Sequence, residues 1–220
     1  MSTTKQSRTR NVRGQGTRLR TEIVAAACHL LDRDGSADAV TLRAVAREVG
    51  VAAPSIYAHF SDRSEIVQAV IDDGFAELVK AIRVASDGEI QPVARLEAGV
   101  RAVLHFAWAR PARFAVMLGR PGFTDPEPHR GADDPATVSF QLMVDAIDDC
   151  IDQGLSSCTE PHLAATAIMV ATHGYALVKA QKPTFAWPSE SALVTYYVTA
   201  LARITPGPGA EGAATDGATA

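Results

Sequence analysis

Between Thr41 and Ile66 the chain follows a pattern that few folds accept. Leu42, Val45, Ala46 and Val49 recur three or four residues apart, the spacing that lines one face of a short helix. Gly50 follows at once, where a helix can end in a left-handed residue at no steric cost to glycine. Val51 and Ile56 supply apolar contacts back to that helix, and the small Ala46 lets the two segments approach. Pro54 falls near the start of a second short helix, where a first-turn N–H has no intrahelical partner to lose. Two short helices joined by a tight turn, with a third following directly, make the layout of a helix-turn-helix. The second helix of such a unit enters the major groove of DNA. A helical hairpin inside a bundle, with no role in DNA binding, shares the pattern and is the competing reading.

Tyr57-Ala58-His59-Phe60 followed by Arg63 is the most specific part of this stretch. It closely resembles the DNA-binding segment of TetR-type transcriptional regulators, and the resemblance extends over residues 17 to 83. The resemblance implies that Tyr57 and Arg63 contact phosphates and that Phe60 plugs the core between the first and fourth helices. It points to Thr41, Arg43, Ala53, Pro54, Ser55, Tyr57, His59 and Arg63 as the DNA-facing set. The chain departs from the family pattern at Ala52 and Ala53, where a Ser or Thr cap and a basic residue are frequent. Losing such a cap costs about 1 kcal/mol of helix stability. It also removes polar contacts from base readout at those two positions.

At 220 residues with 47% hydrophobic residues, the chain is long and apolar enough for one or two domains with a full core. The start of the sequence is basic and polar, unlike a secretory signal, and no apolar run reaches the length of a membrane span. Cys28, Cys150 and Cys158 form no CxxC and leave an odd thiol, which fits a reduced cytoplasm better than a disulfide framework. A redox pair of Cys150 with Cys158 is the alternative to inert thiols.

The net charge of -4 conceals an asymmetry. Residues 1 to 63 hold ten Lys/Arg against six Asp/Glu, and residues 64 to 220 hold eleven against nineteen. An acidic protein of this kind still presents a basic end to nucleic acid. Lys5, Arg8, Arg10, Arg13, Arg18 and Arg20 all precede the first acidic residue, Glu22. Residues 1 to 16 therefore read as a disordered basic arm able to add phosphate or minor-groove contacts, or as a solvated tail.

The periodicity predicts an all-α chain of about nine helices. Residues 17 to 64 form a three-helix DNA-binding domain, 65 to 204 a helical ligand-binding and dimerisation domain, and 205 to 220 a disordered tail. The first helix spans Thr17 to Asp34 and is closed by Gly35. Thr41 is the expected N-cap of the second, and Ser61 opens the fourth. Further helices are expected at Pro92 to Arg110, Pro111 to Leu118, Thr137 to Gly154, Pro161 to Lys182 and Ser189 to Ile204, with a loop over Gly119 to Pro135. The segments His105 to Phe114 and Ala171 to Lys179, the latter containing His173-Gly174, look like the C-terminal ligand domain of one TetR subgroup. That subgroup often has a tryptophan shortly before the His-Gly pair, and none stands here.

No G-x-S-x-G, P-loop or G-x-G-x-x-G occurs, so acyl transfer, nucleotide hydrolysis and dinucleotide binding find no support. His105, His129, His162 and His173 lie on separate elements without a metal-ligand spacing, and Asp145, Asp148, Asp149 and Asp152 read as a solvated face. No catalytic residue, metal site or cofactor is expected. His105 and His173 are candidate polar anchors of a hydrophobic ligand cavity walled by Trp108, Phe114, Met117, Phe140 and Met143, or else plain core. Leu193, Tyr197 and Leu201, with Ile168 and Ala171 opposite, are the candidate homodimer interface, or else a stripe buried within the monomer. The resemblance implies a cytoplasmic repressor that holds a near-palindromic double-stranded operator until a largely apolar small-molecule effector releases it, with no membrane partner. The reading from another class is an all-α metal-binding protein or enzyme that only resembles a regulator.

Overall fold

The computed structural model describes residues 15–119 and 131–205. Most of the N-terminal arm, most of the loop after Gly119 including His129, and nearly all of the C-terminal tail lie outside the described residues. Within them are nine α-helices: α1 (Gln15–Asp34), α2 (Leu42–Val49), α3 (Ala53–Tyr57), α4 (Arg63–Asp87), α5 (Pro92–Ala109), α6 (Pro111–Leu118), α7 (Pro135–Asp152), α8 (Pro161–Gln181) and α9 (Glu190–Leu201). A single 3-10 turn, Ala37–Ala39, precedes α2. No strand occurs among the described residues, only an isolated antiparallel bridge between Ser156 and Ile204. The chain divides into two compact units between Asp73 and Gly74, about three turns into α4 rather than ahead of Glu65.

In the first unit α1 packs on the 3-10 turn and on α2, and α2 packs on α3. Its core is built from Ile23, Ala27, Leu30 and Leu31 of α1, Val40, Val45, Ile56, Phe60 and Ile66, all buried. The Thr41 hydroxyl accepts from the Ala44 N–H and so caps α2. Gly50 ends that helix at φ 77°, and the N–H groups of Gly50 and Val51 both donate to the Ala46 carbonyl. α3 starts without a side-chain cap at Ala52, but Pro54 is tolerated in its first turn. The start of α4 differs from expectation by two residues. Asp62, not Ser61, caps it: its carboxylate accepts from the Ser64 hydroxyl at 2.6 Å and the Glu65 N–H at 3.1 Å. The Glu65 carboxylate reaches back past the cap and accepts from the Ser61 N–H at 2.7 Å. These hydrogen bonds hold the Asp62 carboxyl below its ordinary range.

The second unit centres on α5, which packs against α6, α7, α8 and α9. Leu96, Val100, Leu104, Ile147, Ala165, Ile168, Val194 and Val198 form its fully enclosed interior. On α7 the four aspartates face outward or to the edge while Val144, Ile147 and Cys150 face inward. Asp149 pairs with Arg95 at 3.1 Å. Arg110 and Arg113, flanking Pro111, grip the two oxygens of Glu77 on α4 at 3.0 and 2.7 Å. Met117 packs so closely over Gly74 that a Cβ there would stand 2.7 Å from its sulfur. A second clasp pins the end of α9, where Ser156 donates to the Ala202 carbonyl and Ser157 N–H to that of Arg203, a residue held at φ 49°. All three cysteines are buried outside any disulfide, Cys28 donating to Asp73 at 3.5 Å, and burial pushes the Cys150 thiol up to about 11. That leaves it protonated and inert at neutral pH.

Candidate functional site

The helix-turn-helix presents an exposed face that starts at the N-terminus of α2 and continues along α3. Thr41, Arg43 and Pro54 are exposed, and Ala53, Ser55 and His59 are half-buried. Tyr57, at the end of α3, is 60% exposed and its hydroxyl makes no hydrogen bond among the described residues. Ile56, one residue earlier, is fully buried. α3 therefore fixes its inner side through Ile56 and turns Tyr57 outward. Arg43 and Arg47, one turn apart on the outer side of α2, form no ion pair among the described residues. Sequence reading missed Arg47, although its four-residue spacing from Arg43 places both cations on one face. Arg20 lies over the Phe60 ring at 4.7 Å, and Phe60 itself is buried.

Arg63 has structural work besides any contact with DNA. Its Nε donates to the Val40 carbonyl at 2.9 Å and its Nη2 to the Ala37 carbonyl at 2.5 Å, and Nη2 also lies 3.4 Å from Asp38 Oδ1. These two carbonyls belong to the 3-10 turn and the residue before Thr41, so the guanidinium fastens α4 to the entrance of α2.

The residues expected to wall one ligand cavity do not converge on one. Phe114 and Met117 are buried core, and Phe140 stacks on His162 at 4.8 Å. His105 is exposed and bound to Glu190 at 3.0 Å. His173 stands edge-on to Phe114 at 5.2 Å, and burial pushes it down to about 4, so it is neutral at pH 7. A pocket of about 20 Å³ between α4, α5 and α7, lined in part by Met143, has room for one water. An open groove of about 570 Å³ runs along α4 and α5, with His105 on its rim. Trp108 instead joins Tyr175 and Trp187 in a chain of edge-to-face contacts, and Lys179 rests on its ring. The Trp108 Nε1 and Thr172 Oγ1 atoms are buried without a hydrogen-bond partner among the described residues. Each such orphan costs about 1–3 kcal/mol, a penalty that folded chains rarely carry without use. No group of three or more metal-ligating side chains stands together among the described residues.

The residues expected at the dimer interface are partly enclosed within the monomer. Ile168 is fully buried in its own unit, and Ala171, Leu193, Tyr197 and Leu201 are half-buried. The outward apolar stripe of α8 is Leu163, Val170 and Leu177, spaced by seven, with Gly174 exposed between them. Tyr196, 67% exposed, continues it on α9. α8 is largely apolar, and by length and composition alone it could cross a membrane. Its inner side, however, packs on α5, α7 and α9.

Residues 23–70 match the family model for bacterial regulatory proteins of the tetR family, and residues 96–201 match that for a tetracyclin repressor-like C-terminal domain. The HTH-type transcriptional regulator Rv1816 of Mycobacterium tuberculosis is 29% identical over 126 residues, 56% of this chain and 52% of the relative. The chain thus spans about half the length of the curated relatives it matches. A Rhodococcus sp. RHA1 protein of unknown function superposes with a TM-score of 0.70 at 26% identity, over 90% of this chain and 96% of that one. A tetR-family regulatory protein from Rhodococcus RHA1 shares the fold with a TM-score of 0.62 at 20% identity, over 84% and 95% of the two chains. The matched family and the named relative are regulators of transcription, not enzymes, which removes the competing enzyme reading. With both units matched, the chain belongs to the TetR family of bacterial regulatory proteins, whose members are DNA-binding regulators of transcription.

Proposed function

We propose that the protein represses transcription as a homodimer on a near-palindromic operator and leaves the DNA when a small effector binds its second unit. The observation that carries the DNA half is the exposed, unpartnered Tyr57 beside the uncommitted Arg43 and Arg47. Exposed donors with no intrachain role are what phosphate contacts require. Thr41, Ser55 and His59 complete the same surface, and Arg63 retains one guanidinium nitrogen, Nη1, for a phosphate. Salt-dependent, sequence-selective binding to fragments selected from genomic DNA tests the assignment. Tyr57→Phe should weaken binding about fivefold on specific and random DNA alike, without lowering thermal stability. Arg43→Ala and Arg47→Ala should each reduce the salt slope by about one. Equal loss on one sequence only would assign Tyr57 to base readout instead.

The dimer half rests on the α8 stripe. A helical glycine costs about 1 kcal/mol relative to alanine. A Cβ at Gly174 would meet nothing within 4 Å among the described residues, which leaves that face open to close approach by a second copy. Two copies meeting through Leu163, Val170, Leu177 and Tyr196 would form an isologous four-helix interface and hold two recognition helices about one DNA turn apart. Replacing Val170 and Leu177 with Asp should yield a monomer in sedimentation at micromolar concentration with its helical circular dichroism retained. An intact dimer in that variant would remove this face from the assembly. The effector must favour the non-binding conformation by differential affinity, since equal affinity shifts no equilibrium.

A further inference from the structure

The centre of the outer face of α3 carries no hydrogen-bonding side chain. Ile56 is fully buried and marks the inner side of this helix. At about 100° per residue, Pro54 and Ala58, two residues to either side of Ile56, each lie about 160° around the helix from it. Ala58 follows the last residue of α3 and keeps the helical backbone conformation, φ -70° and ψ -14°. Both side chains are exposed. They stand one turn apart, at the middle of the face that a recognition helix turns to the base edges. Neither side chain holds a donor or an acceptor, and Pro54 lacks even a backbone N–H. Ala52, exposed just ahead of the helix, adds another methyl group where a polar cap could stand. The hydrogen-bonding side chains Ser55 and Tyr57 lie on the flanks of this apolar centre. The two cations of the surface, Arg43 and Arg47, belong to α2, the helix that crosses the phosphate backbone in such a unit.

We infer that the protein reads thymine through its 5-methyl group, with Pro54 and Ala58 as the specificity-determining contacts. The inference deepens the operator-binding reading and rests on it. In the major groove every base pair offers hydrogen-bonding atoms, and only thymine adds an apolar group. An apolar side chain pressed on a donor or acceptor strips its water and returns no hydrogen bond, which is costly. A thymine methyl against Pro54 or Ala58 meets no such penalty, and both surfaces gain by leaving water. Thymines therefore belong under the middle of α3 in each half-site, while Tyr57, Arg43 and Arg47 set the register through phosphates.

Duplexes that the full chain enriches from a randomised pool at physiological salt supply the probe. Replacing an enriched thymine by deoxyuridine removes the methyl group and keeps O4, so it should weaken binding about fourfold at each contacted position. The same replacement outside the enriched positions, or throughout a random duplex, should change nothing. Exchanging a contacted T·A pair for C·G should also weaken binding, and 5-methylcytosine in place of that cytosine should recover about fourfold. Ala58→Gly should abolish the effect of uracil at one thymine and leave it intact at the thymine under Pro54. Hydrogen-bond readout makes the opposite forecast, with uracil bound like thymine and 5-methylcytosine like cytosine. Enriched duplexes without a fixed thymine, or uracil bound as tightly as thymine, would overturn the inference. The base replacements alter the DNA alone, so they stand even where a variant folds poorly. If no duplex is enriched over random DNA, the operator-binding reading falls and this inference with it. If enrichment occurs and uracil changes nothing, only the methyl readout falls.

Discussion

Exchanging Arg63 for alanine is expected to lower the melting temperature of the first unit by about 10 °C before any effect on DNA is considered. Two carbonyls accept from this one guanidinium, that of Val40 and that of Ala37, the latter also accepting from the Val40 N–H. Hydrogen bonds from a charged donor contribute about 1.5–3 kcal/mol each when well shielded. The Arg63 side chain is 43% exposed, so solvent screening reduces the pair to about 2 kcal/mol in total. For a unit of this size that corresponds to about 8–16 °C. Arg63→Lys keeps the charge but cannot span both carbonyls with one ammonium, and should recover about half of the loss. A role limited to phosphate contact makes the opposite forecast, an unchanged melt with the salt slope reduced by about one. Thermal unfolding of Arg63→Ala in the absence of DNA therefore separates fastening from phosphate binding, and an unaltered melt would discard the fastening role.

The arginine also shows what the sequence could and could not convey. Phe60 as a core plug and Gly50 as the turn are local events, decided by a residue's own backbone and its nearest neighbours, and both stand where periodicity puts them. The partners of Arg63 come from a 3-10 turn more than twenty residues earlier, which no periodicity encodes. The same limit applies to the expected dimer face. α8 and α9 are apolar on nearly every side, so a 3.6-residue period cannot tell which stripe turns inward. Ile168 and Val170 are both ideal core residues, yet one is wholly buried and the other 62% exposed. The expected ligand wall meets a related limit: aromatic side chains on different helices meet only when the helices' rotations are known. Trp108 packs edge-on against Tyr175, with Lys179 over its ring. At the cap of α4 the signal was complete and was merely read one residue early, since Ser61 and Asp62 both suit an N-cap and only the carboxylate reaches Ser64 and Glu65.

Acidification should destabilise the second unit through His173, by about 3 kcal/mol once the pH reaches its folded value. In the folded chain burial pushes this imidazole down from 6.5 to about 4, and no carboxylate offsets that burial. In the unfolded chain it titrates near its ordinary value of about 6.5. Between those two values the unfolded state binds the extra proton, so stability rises with pH across that interval and is fully present only above about pH 6.5. By pH 5 about 2 kcal/mol should already be gone, a fall in melting temperature of about 4–8 °C for a unit of this length. Carboxylates elsewhere in the chain add their own acid dependence, so the diagnostic quantity is the difference between the wild-type chain and His173→Phe. Phenylalanine keeps an aromatic ring against Phe114 and carries no proton to gain. The variant should match the wild type at pH 8 to within about 1 kcal/mol and exceed it at pH 5 by about 2 kcal/mol. Parallel pH profiles for the two proteins would mean that the ring is solvated and takes up its proton in the folded state. His173, half-buried beside Phe114, would then carry no acid-labile share of the unit's stability.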